Sequence, residues 1–314
     1  VSSGPGSVLE KGYMSAPEHL ALITHRPDGV AVGFLEADVS RPQLSVLDSA
    51  PVRGDGIFET FSVANGRPQS LERHLERFAA SARALDLPEP TLAVWRDAIF
   101  AIAAHFADVE EAWLKIVLTR GVEAGPAATG SAPEGTAPTG WVYAAPAPDF
   151  SRARIEGISV AVLDRGLRSD VASTSPWLLA GAKTLSYAVN RAAQREAARR
   201  GADDVVFVSS DGLLLEGPTS TLIVRRGSQL VTPPASLGIL AGTTQADLFE
   251  AAHLWGLSTA IEVLRASDLM SADAAWLVSS VRHAAPTRAV DGEPLPVDAE
   301  LSHRMNEFLR ARRA

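Results

Sequence analysis

Apolar positions along the 314-residue chain change spacing several times, and the changes mark out elements. From about Ala21 to Asp38, short apolar groups flank Pro27, Asp28 and Gly29, which predicts a hairpin of two strands. A third strand follows the turn at Gly54, Asp55 and Gly56. Apolar residues at 71, 75, 78, 79, 82 and 85 keep helical spacing, predicting a helix over Leu71 to Leu85 with Ser70 as its N-cap. A second helix is predicted over Leu92 to Phe106, then a buried strand from Ala112 to Thr119. Between Gly121 and Gly140 the composition narrows to mostly Gly, Ala, Pro, Thr and Ser. Such a stretch buries too little apolar surface to offset ordering entropy, so a mobile loop joining two strands is expected over 121–140.

Beyond it, Ile158 to Leu163 reads as a strand and Lys183 to Arg200 as a helix whose basic end suits the helix dipole. Short strands are predicted at Val205 to Val208, Leu213 to Leu215, Thr221 to Val224 and Leu230 to Val231, then near Thr259 to Val263 and Ala274 to Ser279. Helices over Thr244 to Trp255 and Asp298 to Arg312 frame the last two. Strands with interleaved helices give an α+β chain with two domains, residues 18–149 and 150–314, after an expected disordered start over 1–17 whose first seven residues read as an expression scar.

Charge and composition narrow the function. With 29 Lys+Arg against 37 Asp+Glu, the net charge is −8, and no basic footprint for nucleic acid is present. Zero cysteines exclude disulfides, thiolate metal sites and cysteine nucleophiles. No apolar run approaches the roughly 20 residues of a membrane span, so no membrane partner and a cytoplasmic setting are expected. None of the seven histidines sits in a ligand-spaced pair, so no metal is expected. GxSxG and Walker signatures are also lacking.

One constellation does carry chemistry. Lys183 alone reads as a solvated helix-start lysine, but Glu216 follows 33 residues on, directly after Leu213-Leu-Leu215. An acid after such a run faces an apolar core and needs a cationic partner. Thr232-Pro233-Pro234 and Leu240-Ala-Gly-Thr-Thr-Gln245 come next, the latter opening a helix whose free N–H groups and two hydroxyls make an anion site. A lysine nucleophile, a buried acid and a phosphate cradle are what pyridoxal phosphate requires.

Taken in order, Arg53-Gly-Asp-Gly-Ile-Phe-Glu-Thr60, His74-Leu-Glu-Arg77, Lys183-Thr-Leu-Ser-Tyr187, Asp211-Gly-Leu-Leu-Leu-Glu216, Thr232-Pro233, Leu240 to Thr244 and Val278-Ser-Ser-Val281 resemble the fold type IV pyridoxal-phosphate enzymes. That class includes aminodeoxychorismate lyase and the D-amino-acid and branched-chain aminotransferases. The resemblance implies a small N-terminal α/β domain, a larger C-terminal β-rich pseudo-barrel domain with helices, and a homodimer with its active site at the domain boundary. It implies that Lys183 links to the cofactor and shuttles protons, that Glu216 pairs with the pyridine nitrogen, and that Arg77, Thr243, Thr244 and Ser280 hold the phosphate. Tyr187 would meet the phenolic oxygen and Leu240 the ring face. Periodicity alone also allows Arg77 to be an exposed helix arginine and Tyr187 to be plain core.

Two positions depart from the family pattern: Thr221 stands where an asparagine is usual, and Gln245 where an arginine often follows the phosphate-binding pair. The Lys183 to Tyr187 stretch is one residue shorter than the branched-chain form. The strand ending at Arg120 offers Lys115 and Arg120 but no Arg-x-His pair of the D-amino-acid type. The resemblance therefore leans toward aminodeoxychorismate lyase, which releases pyruvate and p-aminobenzoate for folate synthesis, with Arg282, Arg53 or Arg120 as candidate contacts to substrate carboxylates. A fold type IV transaminase is the alternative, and a non-catalytic cofactor-binding relative a further one.

Overall fold

The computed structural model describes residues 17–122 and 137–312. The expected scar and most of the predicted 121–140 loop lie outside these residues. The strands are β1 (His19–His25), β2 (Ala31–Ala37), β3 (Gly56–Ala64), β4 (Arg67–Pro68), β5 (Ala112–Thr119), β6 (Thr139–Pro146), β7 (Ile158–Asp164), β8 (Asp204–Val208), β9 (Thr221–Arg226), β10 (Gln229–Thr232), β11 (Ser258–Ile261), β12 (Ala274–Ser279), β13 (His283–Val290) and β14 (Glu293–Pro294). The helices are α1 (Ser49–Arg53), α2 (Leu71–Ala84), α3 (Leu92–Ala104), α4 (Ser151–Ile155), α5 (Val171–Thr174), α6 (Ala188–Arg199), α7 (Thr243–Ala251), α8 (Ala266–Met270) and α9 (Ala299–Ala311). Strands up to Pro146 form a six-stranded sheet in the order β2-β1-β6-β5-β3-β4. Later strands form an eight-stranded sheet, β11-β10-β9-β12-β13-β7-β8, with β14 on β13.

The first sheet is covered on one face by α2 and α3. Ile57, Phe61 and Val63 of β3 and Leu114 and Ile116 of β5 pack on Leu75, Phe78, Trp95, Ile99 and Ile102, all fully buried. Each such side chain contributes roughly 1.5–3 kcal/mol by leaving water. Alternation along β3 turns Phe58 and Thr60 to the opposite face, where Thr60 stands across from Lys115. That face meets the segment bearing Lys183.

Several elements differ from the sequence reading. Ser70 does not cap α2: its φ is 53°, its side chain makes no cap bond, and its Oγ donates to Asp247 Oδ2 at 2.5 Å. The helix predicted from Lys183 begins at Ala188, because 183–185 is held extended against β3. Leu213 to Leu215 is not a ladder strand, being pinned by isolated bridges Val208↔Leu214 and Leu213↔Arg265. Strand β13 has no counterpart in the reading, since its alanines and Pro286 give no strand signal. Pairing of β13 with β7 starts at Thr287, one residue past the proline, so its missing N–H breaks no bond on that side.

Candidate active site

Lys183 sits on a bend made by backbone conformation. Leu179 (φ 54°) and Gly181 (φ 90°) are left-handed, and they turn the chain onto the open edge of β3. There Phe58 N–H donates to the Lys183 carbonyl at 3.1 Å and Leu185 N–H to the Gly56 carbonyl at 2.8 Å. Gly56 permits the approach: a Cβ there would stand 2.7 Å from Leu185 Cδ1 and 2.8 Å from the Leu118 carbonyl oxygen. Lys183 is half-buried, and its Nζ lies 4.6 Å from the centroid of the Phe58 ring. Loss of water lowers its amine from 10.5 to about 8; Arg77 and Lys115 push the same way, against Glu59 and Glu216. An amine that is partly free base near neutrality is a competent nucleophile and proton carrier.

Glu216 follows the buried Leu214 and Leu215. Its Oε2 accepts from the Leu240 N–H at 3.2 Å, and its Oε1 is 3.8 Å from Arg165 Nη1. Burial pushes its carboxyl up from 4.5 to about 7, with Arg165, the Leu240 amide and Lys183 opposing. Arg165, which the sequence reading missed, is a distant partner because its Nη1 also donates to the Gly238 carbonyl at 3.2 Å. The acid is thus poised to gain from a closer cation.

The third group gathers at the start of α7. Gly242 precedes the helix and no side chain caps it, leaving first-turn N–H groups and the buried Thr243 and Thr244 hydroxyls at one spot. Thr221 closes on the same point, for a Cβ on Gly242 would meet its Oγ1 at 2.2 Å. Ser280 Oγ is 3.4 Å from Thr244 Oγ1, and His74 Nε2 is 3.2 Å from both Thr243 Oγ1 and Ser280 Oγ. Behind them the fully buried Glu59 accepts from Arg77 Nε and Nη2 at 2.7 and 2.8 Å and lies 2.8 Å from His74 Nδ1. Burial alone would raise Glu59, but Arg77 and His74 outweigh it and hold the carboxyl well below the usual carboxylate range. Burial lowers the His74 imidazole against the pull of Glu59, and its Nδ1 is the ring nitrogen that faces the carboxylate. Arg77 Nη1 donates to the Ala241 carbonyl at 2.7 Å, so the arginine is fixed beside the helix start. Glu59 and His74 lie inside motifs quoted from the sequence; a charged residue amid apolar β3 was the available signal.

An amine near neutral, a buried acid lacking a close cation, and an anion cradle backed by an anchored arginine match the three ends of pyridoxal phosphate. Residues 56–290 match the family described as Amino-transferase class IV. The chain belongs to this family. It is 43% identical over 275 residues, 83% of this chain and 92% of the other, to the bifunctional aminodeoxychorismate lyase / D-amino acid transaminase of Mycobacterium tuberculosis. Among solved structures, the fold IV-transaminase CpuTA1 of Curtobacterium pusillum superposes with TM-score 0.86 at 50% identity, covering 94% of this chain and all of that one. A hypothetical aminotransferase of M. tuberculosis in its PLP-bound form gives TM-score 0.82 at 41% identity over 93% and 98% of the two chains. The fold is type IV, and the cofactor of this class IV protein is pyridoxal phosphate.

The class IV site brings other expected residues to different surroundings. Tyr187 opens α6, packs edge-on to Phe58 at 5.2 Å, and donates to the Pro218 carbonyl at 3.0 Å, which Asn190 Nδ2 also reaches at 2.6 Å. Burial pushes the tyrosine hydroxyl up to about 12. Leu240 reaches the site through its backbone N–H on Glu216. Arg53 ends α1 on the surface. Arg120 is a strut, donating to both oxygens of Asp55 at 2.7 and 3.3 Å and to the carbonyls of Leu85 and Asp86. Arg282 Nη1 pairs with Asp204 at 2.7 Å, while its buried Nε and Nη2 have no partner among the described residues. Lys115 has ring contacts, at 5.3 Å to Phe58 and 5.7 Å to Trp113, but no carboxylate within 4 Å among the described residues.

Proposed function

We propose that this class IV protein is a 4-amino-4-deoxychorismate lyase of the cytoplasm, releasing pyruvate and leaving p-aminobenzoate. The observation that carries the reading is Lys115. A half-buried ammonium with no carboxylate within 4 Å among the described residues shares the Phe58 ring with Lys183, where the reacting amine of a substrate must arrive. Aminodeoxychorismate bears two carboxylates, and a second unneutralised cation beside the catalytic lysine suits it better than a substrate with one. Arg282, whose Nε and Nη2 have no partner among the described residues, is the further carboxylate contact we assign, with Arg53 at the rim; Arg120 is taken up by Asp55 and the Leu85 and Asp86 carbonyls.

Pyridoxal phosphate, when bound, supplies an electron sink that eases bond breaking at the amine-bearing carbon. Arg77, Thr243, Thr244 and Ser280 would hold its phosphate, Glu216 its ring nitrogen, Tyr187 its phenolic oxygen, Leu240 its ring face and Lys183 its aldehyde carbon. Lys183 Nζ is placed to take the proton from C4 of the substrate as the ring C3–O bond breaks, and to return a proton to the methylene carbon of the departing enolpyruvyl group, which becomes pyruvate, a task suited to an amine held at about 8. Aromatisation of the remaining ring drives pyruvate loss. The name of the M. tuberculosis relative supports a second reading alongside, D-amino acid transamination at the same site.

The reading includes a homodimer. Trp177, Leu178 and Val189 are exposed apolar side chains on the segments flanking Lys183, as are Val46 and Leu47 on the segment leading into α1, and a second copy covering the former would enclose the site. Sedimentation showing only monomer would count against this. For the substrate class, Lys115→Ala is expected to raise KM for aminodeoxychorismate about tenfold or more while changing KM for D-alanine little. Equal effects on both substrates would remove Lys115 from the reading, and an unchanged KM in Arg282→Ala would remove Arg282.

A further inference from the structure

Three donors from distant points of the sequence meet on the helix-covered face of the first sheet, near its β1–β2 edge. His19 opens β1, Glu36 lies on β2 and His105 follows the last turn of α3. The rings of His19 and His105 are stacked, with centroids 3.9 Å apart and planes 5° from parallel, and His105 Nε2 lies 3.0 Å from Glu36 Oε2. One ligand atom from each of the three lies within 4.8 Å of the other two. Phe106 meets the His19 ring edge-on at 5.5 Å and so fixes one wall. We propose that His19, Glu36 and His105 form a binding site for a single divalent transition-metal ion of the zinc, cobalt or nickel class, separate from the cofactor site.

Two imidazoles and a carboxylate are the donor set such ions prefer, while calcium and magnesium favour all-oxygen sites. The ion would stand between His105 and Glu36, whose 3.0 Å spacing already suits two ligands on one tetrahedral centre. Ligands at about 2.0–2.1 Å from the metal stand roughly 3.3 Å apart, and each ring donates to an ion lying in its own plane, so the parallel stack of His19 and His105 must open until the two planes meet at the ion. His105 and Glu36, 37% and 51% exposed, have room to do so and leave the remaining coordination positions open to water. Three strand steps, about 14 Å at the usual spacing, separate β1 from β3 and the Lys183 segment. Bound metal would fasten the first hairpin to the end of α3. Motif spacing overlooks the site because its ligands come from three separate elements.

Zn2+ titrated into chelator-stripped holoenzyme, followed by calorimetry, is expected to show one saturable site per chain. Co2+ in its place should give visible ligand-field absorption. His105→Ala and His19→Ala should each weaken Zn2+ binding at least tenfold, whereas His253→Ala, altering a surface histidine elsewhere, should leave it unchanged. Zn2+ should raise the unfolding temperature of wild type but not of His105→Ala. Absence of a saturable site, or a site that survives both His19→Ala and His105→Ala, would overturn the proposal.

Discussion

Replacing Glu216 by glutamine separates the electrostatics of the site from its shape. The side chain is only 15% exposed, and burial moves its ionisation from 4.5 to about 7 despite the pull of Arg165, the Leu240 amide and Lys183. At about 1.4 kcal/mol per tenfold, the folded protein therefore disfavours the charged form by about 3 kcal/mol relative to the unfolded chain. The contribution of this group to stability is whole below pH 4.5 and is lost as pH climbs through about 7. Glutamine can still accept from the Leu240 N–H but never ionises. In urea unfolding of cofactor-free protein, wild type and Glu216→Gln should differ by less than about 1 kcal/mol at pH 5, with the variant ahead by about 3 kcal/mol at pH 8. Pyridoxal phosphate, by placing a ring nitrogen against the acid, should narrow that gap at pH 8. The same difference at both pH values would refute a desolvated Glu216, and an unchanged gap on adding cofactor would refute its pairing with the ring.

Three other perturbations follow from the geometry. The rate at which cofactor-free protein captures pyridoxal phosphate, read from the absorbance of the lysine-bound form, should rise with pH to half its maximum near 8 and vanish in Lys183→Ala. Glu59→Ala leaves Arg77 without its buried counter-charge and should lower stability by about 3–5 kcal/mol in urea unfolding, with weaker phosphate binding in calorimetry. Gly242→Ala puts a methyl 2.2 Å from Thr221 Oγ1; at about 1–3 kcal/mol for overpacking, cofactor affinity should fall about tenfold or more. Adding Thr221→Ala to Gly242→Ala should restore part of that loss.

What the sequence disclosed follows from where the determining forces act. Glu216 and the start of α7 could be named as candidates because they stand at recognisable local boundaries, the end of a leucine run and a helix start, whereas Lys183 read alone as a helix-start lysine and stood out only through its neighbours and the family resemblance. Strands β5 and β12 were legible for the same local reason, being short apolar runs with clear ends. Ser70 reads as a cap from sequence alone, but Asp247, 177 positions away, takes its hydroxyl and the backbone turns left-handed. Lys183 to Leu185 carries helix-forming residues, yet pairing with β3 outweighs their preference. Glu59 and His74 gain meaning only when α2 lies across β3, bringing positions 15 apart within 2.8 Å. No spacing rule contains that contact. Arg165 reaches Glu216 through a similar tertiary approach.

The most direct test of the central claim supplies aminodeoxychorismate to the holoenzyme with no keto-acid acceptor and follows p-aminobenzoate and pyruvate together. A lyase turns over repeatedly under these conditions, whereas a transaminase stops after one half-reaction. Many equivalents of both products per chain are expected, released in equal amounts, and none from Lys183→Ala. A single equivalent or less, from protein that carries the cofactor on Lys183, would contradict the lyase reading and leave transamination as the activity of the site.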